Sequence, residues 1–174
     1  TEQYLSLIKR SDEAFKQLVE YFEKQSEPTI IMMFGDHQPA DYITNVVDTG
    51  KKTGSNDASV TSLGTGSDRK ERYMVPFVMW ANYDINESQG EETSANYLAV
   101  RLLEAAGLPL TDFQSYLSDL QQNVPFISAH ALKENTGTDC GEEEAEALLK
   151  IYKKLLYNDL FDTKHRLQAF YSYE

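Results

Sequence analysis

The chain has 174 residues, 41% of them apolar and 11% aromatic, enough for a folded core and too much for wholesale disorder. Sixteen basic against twenty-eight acidic residues give a net charge of −12. That excess argues against nucleic-acid binding, which needs a positive surface to displace counterions, and it repels an anionic membrane. A phosphate-bearing ligand then binds only where a local charge, such as a divalent cation, reverses the field.

The first two dozen residues read as an amphipathic helix. Ile8, Phe15, Leu18, Val19 and Phe22 recur at helical spacing among polar residues, although Ser11-Asp12-Glu13 offers a later start. Gln25-Ser26-Glu27-Pro28 ends it. Thr29 to Phe34 is an apolar run without alternation, the pattern of a strand covered on both faces in a parallel sheet. It leads directly into Gly35-Asp36-His37-Gln38-Pro39, at the strand end where α/β sheets bind ligands.

Residues 40–72 are rich in Gly, Ser, Thr and charge, with one helical turn expected around Tyr42 to Val47, and read as a long polar loop. Tyr73 to Trp80 is a second strand, in which Pro76 implies either a sheet edge or a true start near Phe77. Thr93-Ser94 cap a helix bearing Leu98, Leu102, Leu103 and Ala106, with Gly107 and Pro109 as stop signals. Thr111-Asp112 open the next helix, with Phe113, Tyr116, Leu117 and Leu120 on one face. Val124 to Leu132 is expected to be extended. Glu142, Glu143 and Glu144 start a helix running to about Leu156, where acidic side chains complement the helix dipole. Arg166 to Tyr173 forms a last strand or a packed tail. No repeat or linker clearly divides the chain, so residues 1–174 are expected to form a single α/β domain portion that supplies only some strands of a largely parallel sheet flanked by helices.

Asp36 and His37 are the candidate metal ligands. A carboxylate and a neutral imidazole, adjacent where the chain leaves a sheet, can turn toward one cation, and Gly35 lets the backbone bend or approach a ligand there. A mixed oxygen and nitrogen donor set suits Mn²⁺, Zn²⁺ or Mg²⁺ better than Ca²⁺. The plainer alternative is a turn in which Asp36 caps backbone amides and His37 is an ordinary histidine. Surface or packing roles suit His130 and His165 better than ligation. Lys51, Lys52, Arg69 and Arg72 in or beside the loop are read as solvated charges, and Trp80 and Tyr83 as packing residues. Cys140 has no partner for an internal disulfide and no Cys/His zinc pattern around it. No apolar run is long enough to span a bilayer.

Tyr4 to Asp12, Thr29 to Phe34, Gly35-Asp36-His37-x-Pro39, Val75-Pro76-Phe77-x-x-Trp80-x-Asn82-Tyr83, Ser94-x-Asn96-Tyr97-Leu98 and Tyr157-Asn158-x-Leu160-Phe161 together resemble the C-terminal part of the lipoteichoic acid synthases. These are sulfatase-like phosphoglycerol transferases of the alkaline phosphatase superfamily. The resemblance implies a membrane-anchored parent whose catalytic domain lies outside a bacterial cell. An upstream threonine nucleophile and acidic ligand would lie in that parent, together with a covalent phosphoglycerol-threonine intermediate. It makes Asp36 and His37 the last two ligands of a divalent ion, Mn²⁺ first among the choices. No residue here matches the nucleophile, neither Thr29 nor any other threonine, and no catalytic residue is assigned. The expectation is a C-terminal fragment, opening on Thr1-Glu2-Gln3, that is inactive alone. Its expected partners are the N-terminal remainder of its domain, an anionic lipid headgroup or polymer reached through the metal, and other copies through exposed sheet edges. A sulfatase or phosphodiesterase parent, or a non-catalytic module holding an anionic polymer, are the competing readings.

Overall fold

Apolar side chains at helical spacing need something to cover them, and α1 (Glu2–Phe22) shows how far that has gone. The computed structural model describes residues 2–39, 73–86, 90, 92–127 and 142–173. The helix runs unbroken through Ser11, Asp12 and Glu13, so the alternative later start does not occur. Phe15, Val19 and Phe22 are half-buried, yet no residue of α1 is fully buried, and Ile8 and Leu18 stay exposed. Beyond Phe22, the Lys24 and Gln25 amides tighten onto the Tyr21 and Phe22 carbonyls at 3.3 and 3.0 Å, and Pro28 then prevents continuation.

Strand β1 (Ile30–Phe34) pairs with β2 (Phe77–Ala81), Ile30 facing Ala81 and Phe34 facing Phe77. The pairing is antiparallel, which corrects the expectation of a largely parallel sheet for the two strands described. An apolar run without alternation reports that both strand faces are apolar; it carries no information on the direction of the neighbour. Pro76 lies just before β2, so the start near Phe77 is the outcome. These elements belong to a first compact unit, Thr1–Asp84.

The second unit, Ile85–Glu174, is helical. A 3₁₀ turn at Ala95–Tyr97 leads into α2 (Leu98–Ala105). Ser94 stands at the cap position without capping; its hydroxyl instead accepts the Ile127 amide at 2.6 Å. α2 ends in the expected way. Gly107 adopts φ +67°, its amide reaches the Glu104 carbonyl at 3.0 Å, and the Leu108 amide reaches Leu103 at 2.9 Å. Only glycine enters that left-handed conformation without strain.

α3 (Asp112–Asn123) opens with a reciprocal cap. The Thr111 hydroxyl accepts the Gln114 amide at 3.2 Å, and the Gln114 side chain accepts the Thr111 amide at 2.8 Å. α4 (Glu142–Leu160) starts where the acidic run predicts and continues past Leu156. The tail forms a short helix, α5 (Gln168–Tyr171), and not a strand; Phe113 of α3 packs between Phe170 and Tyr171 at 6.2 and 5.3 Å. The core of this unit gathers Tyr97, Val100, Leu117, Leu120, Val124, Ala145, Leu149 and Tyr152. Tyr97 is fully buried, and its hydroxyl donates to the Val124 carbonyl at 2.6 Å, which satisfies the one polar atom it carries inside. Burial pushes its ionisation far above the ordinary tyrosine range.

Candidate metal centre

Where β1 stops, the chain must turn without losing its tie to the sheet. The Gly35 amide donates to the Pro76 carbonyl at 3.0 Å, extending the pairing one step beyond the strand. A Cβ on Gly35 would stand 3.0 Å from Val75 Cβ, a crowded contact, so glycine here lets the neighbouring chain approach closely. It does not adopt a positive φ, and the nearest atoms to that added carbon belong to Val75 and Pro76. Gln38 anchors the far side of the turn, its side-chain amide donating to the Met74 carbonyl. The turn is thus held at both ends by the Met74-to-Pro76 segment that leads into β2.

Asp36 and His37 project from this turn with side chains 85% and 77% exposed. Asp36 Oδ1 accepts the amide of His37 at 2.9 Å, the capping arrangement of the plainer reading. The outer atoms are arranged differently. His37 Nδ1 lies 2.8 Å from the Gln38 carbonyl oxygen, which can only accept. The ring proton of a neutral imidazole therefore sits on Nδ1, leaving the Nε2 lone pair uncommitted. That nitrogen lies 3.5 Å from Asp36 Oδ2. With the ring neutral, two groups that can each give an electron pair face one another across this gap.

Such a gap matches a small cation. Ligands about 2.1 Å from a tetrahedral ion stand roughly 3.4 Å apart, close to the 3.5 Å found here. The backbone carbonyl behind the ring is a common device for orienting a ligating imidazole. Two donors are not a full set, and among the described residues no group of three or more His, Cys, Asp or Glu forms. The structure thus brings Asp36 and His37 together and fits a shared ion in donor chemistry.

The other charged and metal-ligating residues singled out in the sequence divide two ways. Lys51, Lys52, Arg69, Arg72, His130 and Cys140 lie outside the described residues, as does the turn expected at Tyr42 to Val47. His165 follows α4 with its side chain 81% exposed, Nδ1 lying 3.1 Å from Asp162. It closes a local turn, and Asn158 holds the same turn by donating to the His165 carbonyl at 3.0 Å and accepting the Leu167 amide at 3.0 Å.

Sequence reasoning assigned no role to Asn82, yet it organises the first unit. Its Oδ1 accepts the Thr29 amide at 2.8 Å, and its Nδ2 lies 3.1, 3.2 and 2.9 Å from the carbonyls of Phe22, Gln25 and Glu27. One side chain ties the end of α1, the connecting turn and the start of β1 to the end of β2. The only sequence signal was its place in the Trp80-x-Asn82-Tyr83 string.

A putative cyclic β-1,2-glucan modification protein of Rhizobium meliloti (strain 1021) is 22% identical over 172 residues, 97% of this chain and 26% of the relative's length. This chain therefore spans about a quarter of that curated relative. No solved structure matches. The Sulfatase family model matches residues 1–108, which include α1, both strands, the Asp36–His37 turn and Asn82. The chain belongs to the Sulfatase family.

Proposed function

We propose that this chain is the C-terminal part of a metal-dependent phosphoglycerol transferase resembling the lipoteichoic acid synthases. It would act on a surface polymer at the outer face of a bacterial membrane. The observation that carries the reading is the Asp36–His37 pair, with Oδ2 and Nε2 3.5 Å apart and the other ring nitrogen committed to a backbone carbonyl. Sulfatase-family domains typically use a divalent metal, and Asp36 and His37 are the residues that would hold it. Mn²⁺ is the first choice, with Mg²⁺, Zn²⁺ or Ca²⁺ as alternatives. A divalent ion there supplies the positive charge that anionic phosphoryl oxygens need in a chain of net charge −12.

The chain's own residues set the donors. The Gln38 carbonyl fixes the tautomer and plane of His37, and the His37 amide fixes the carboxylate of Asp36. Gln38 and Gly35 hold the turn to the Met74–Pro76 segment, so donor spacing depends on the strand pair. The nucleophile and remaining ligands belong to the rest of the parent domain, and the chain alone is expected to turn nothing over. The name of the curated relative, which describes modification of a glucan, favours transfer to a carbohydrate acceptor. The family's own description favours a second reading, a sulfate- or phosphate-ester hydrolase.

Titrating Mn²⁺ against the chain, read by Mn²⁺ paramagnetic resonance, tests the site. Weak binding in the millimolar range, abolished by Asp36→Ala, is the expected result for a partial ligand set. Micromolar binding lost in the same variant would favour a self-contained binding module. Equal binding by both chains would remove the assignment. In the parent protein, phosphatidylglycerol consumption with diacylglycerol release and product growth supports the transferase. Transfer of the released group to water supports the hydrolase.

A further inference from the structure

α4 changes character halfway along. Its first half carries Glu142, Glu143, Glu144 and Glu146, whereas its second half carries Lys150, Lys153 and Lys154 and no acidic residue before Asp159. The helix dipole accounts for the acidic start but not for these lysines, because the last turn of α4 contains no basic residue and the dipole acts only within that turn. Lys150, Lys154, Tyr157 and Phe161 follow one another at spacings of four, three and four, so they form one stripe along the helix.

Apolar side chains stand out on the same stripe. Tyr157 is 62% exposed, Leu160 62% and Phe161 67%, and the Tyr157 and Phe161 rings lie tilted against each other, centroids 5.6 Å apart and planes at 36°. Beyond the helix, exposed Lys164 and Leu167 continue the mixture. The two carboxylates of this stretch are already engaged, Asp159 with Arg166 at 2.5 Å and Asp162 with His165 at 3.1 Å. A basic, aromatic surface therefore stands on a chain whose overall charge is −12.

We propose that this face of α4, from Lys150 to Leu167, docks onto the surface of an anionic lipid bilayer. Aromatic rings settle at the headgroup level and lysines reach headgroup phosphates while their stems lie on apolar surface. A projecting aromatic pair flanked by cations suits a soft, negatively charged interface, whereas a protein partner would need a shaped groove. The acidic remainder of the chain is repelled by the same surface, so charge selects this face as the one that approaches. α1 also exposes apolar residues, among them Leu5 and Ile8, but it mixes acidic and basic side chains along its length and so selects no charged partner. The inference is independent of the Asp36–His37 site.

Sedimentation of the whole chain with vesicles tests it, in EDTA so that no ion bridges the two. Vesicles of equal parts phosphatidylcholine and phosphatidylglycerol are expected to carry the chain down, and phosphatidylcholine vesicles are not. Each lysine near an anionic surface contributes about 1 kcal/mol, or about fivefold, so Lys153→Ala with Lys154→Ala should weaken binding about 25-fold. Arginine at both positions should preserve it. Tyr157→Ser with Phe161→Ser should also weaken it, and Leu5→Ser with Ile8→Ser should leave it unchanged. Raised salt should release the chain. No sedimentation with anionic vesicles, equal binding to neutral ones, or binding indifferent to the α4 substitutions would overturn the proposal.

Discussion

Replacing Asn82 by alanine tests whether one side chain holds the first unit together. The substitution removes the acceptor for the Thr29 amide and the donors facing the carbonyls of Phe22, Gln25 and Glu27. Phe22 closes α1, so its carbonyl is among those with no partner inside the helix. Two of these bonds are part-buried and two are exposed. Taking about 1 kcal/mol for each part-buried bond and about 0.5 for each exposed one gives a loss of about 3 kcal/mol. The single tryptophan, Trp80, lies in β2, so its fluorescence in urea reports this unit separately from the helical one. With a urea slope of about 1.5 kcal/mol per molar, the midpoint should fall by about 2 M. Asn82→Asp is the sharper probe. It keeps the acceptor for Thr29 but aims an oxygen at three carbonyls, so it should be no more stable than the alanine variant. A loss below about 0.5 kcal/mol for alanine, typical of an uninvolved surface residue, or an aspartate variant as stable as wild type, would refute the clamp.

Gly35→Ala should destabilise the same unit by about 1–3 kcal/mol, again read by Trp80, because the new Cβ meets Val75 Cβ at 3.0 Å and neither atom can swing away. Thr111→Ala should cost the second unit about 1 kcal/mol, measured as loss of helical circular dichroism on heating, since it breaks one arm of the reciprocal cap and leaves the Gln114 amide unpaired. Alkaline unfolding supplies a further check. Burial, the first cause in each, holds the Tyr97, Tyr116 and Tyr171 hydroxyls above the ordinary tyrosine range. The folded state therefore keeps protons that the unfolded chain releases above about pH 10. Stability should hold below that pH and fall as pH rises toward the folded values, with the ultraviolet absorbance of tyrosinate rising together with unfolding. Gradual ionisation of all tyrosines in a still-folded chain would contradict the burial argument.

The local features were legible because each has a short-range cause. The Gly107 stop follows from the conformation only glycine adopts freely, and the Thr111 start from a hydroxyl beside unpaired amides. The capping partner Gln114 stands three residues beyond Thr111, the spacing of a reciprocal cap. The adjacency of Asp36 and His37 at a strand end was equally open to inspection. Their shared gap was not, since it depends on which ring nitrogen the Gln38 carbonyl engages.

What the sequence determined by itself was the longer helices and the two described strands, the stop signals at Pro28 and Gly107, and the placing of a carboxylate beside an imidazole in one turn. Backbone preference and side-chain periodicity act over a few residues and need no partner. Only the tertiary structure decided that β1 and β2 run antiparallel, that Gly35 makes room for Val75, and that Asn82 binds segments more than fifty residues away in sequence. Those choices depend on which distant groups satisfy one another's hydrogen bonds and space, and no local pattern encodes the answer.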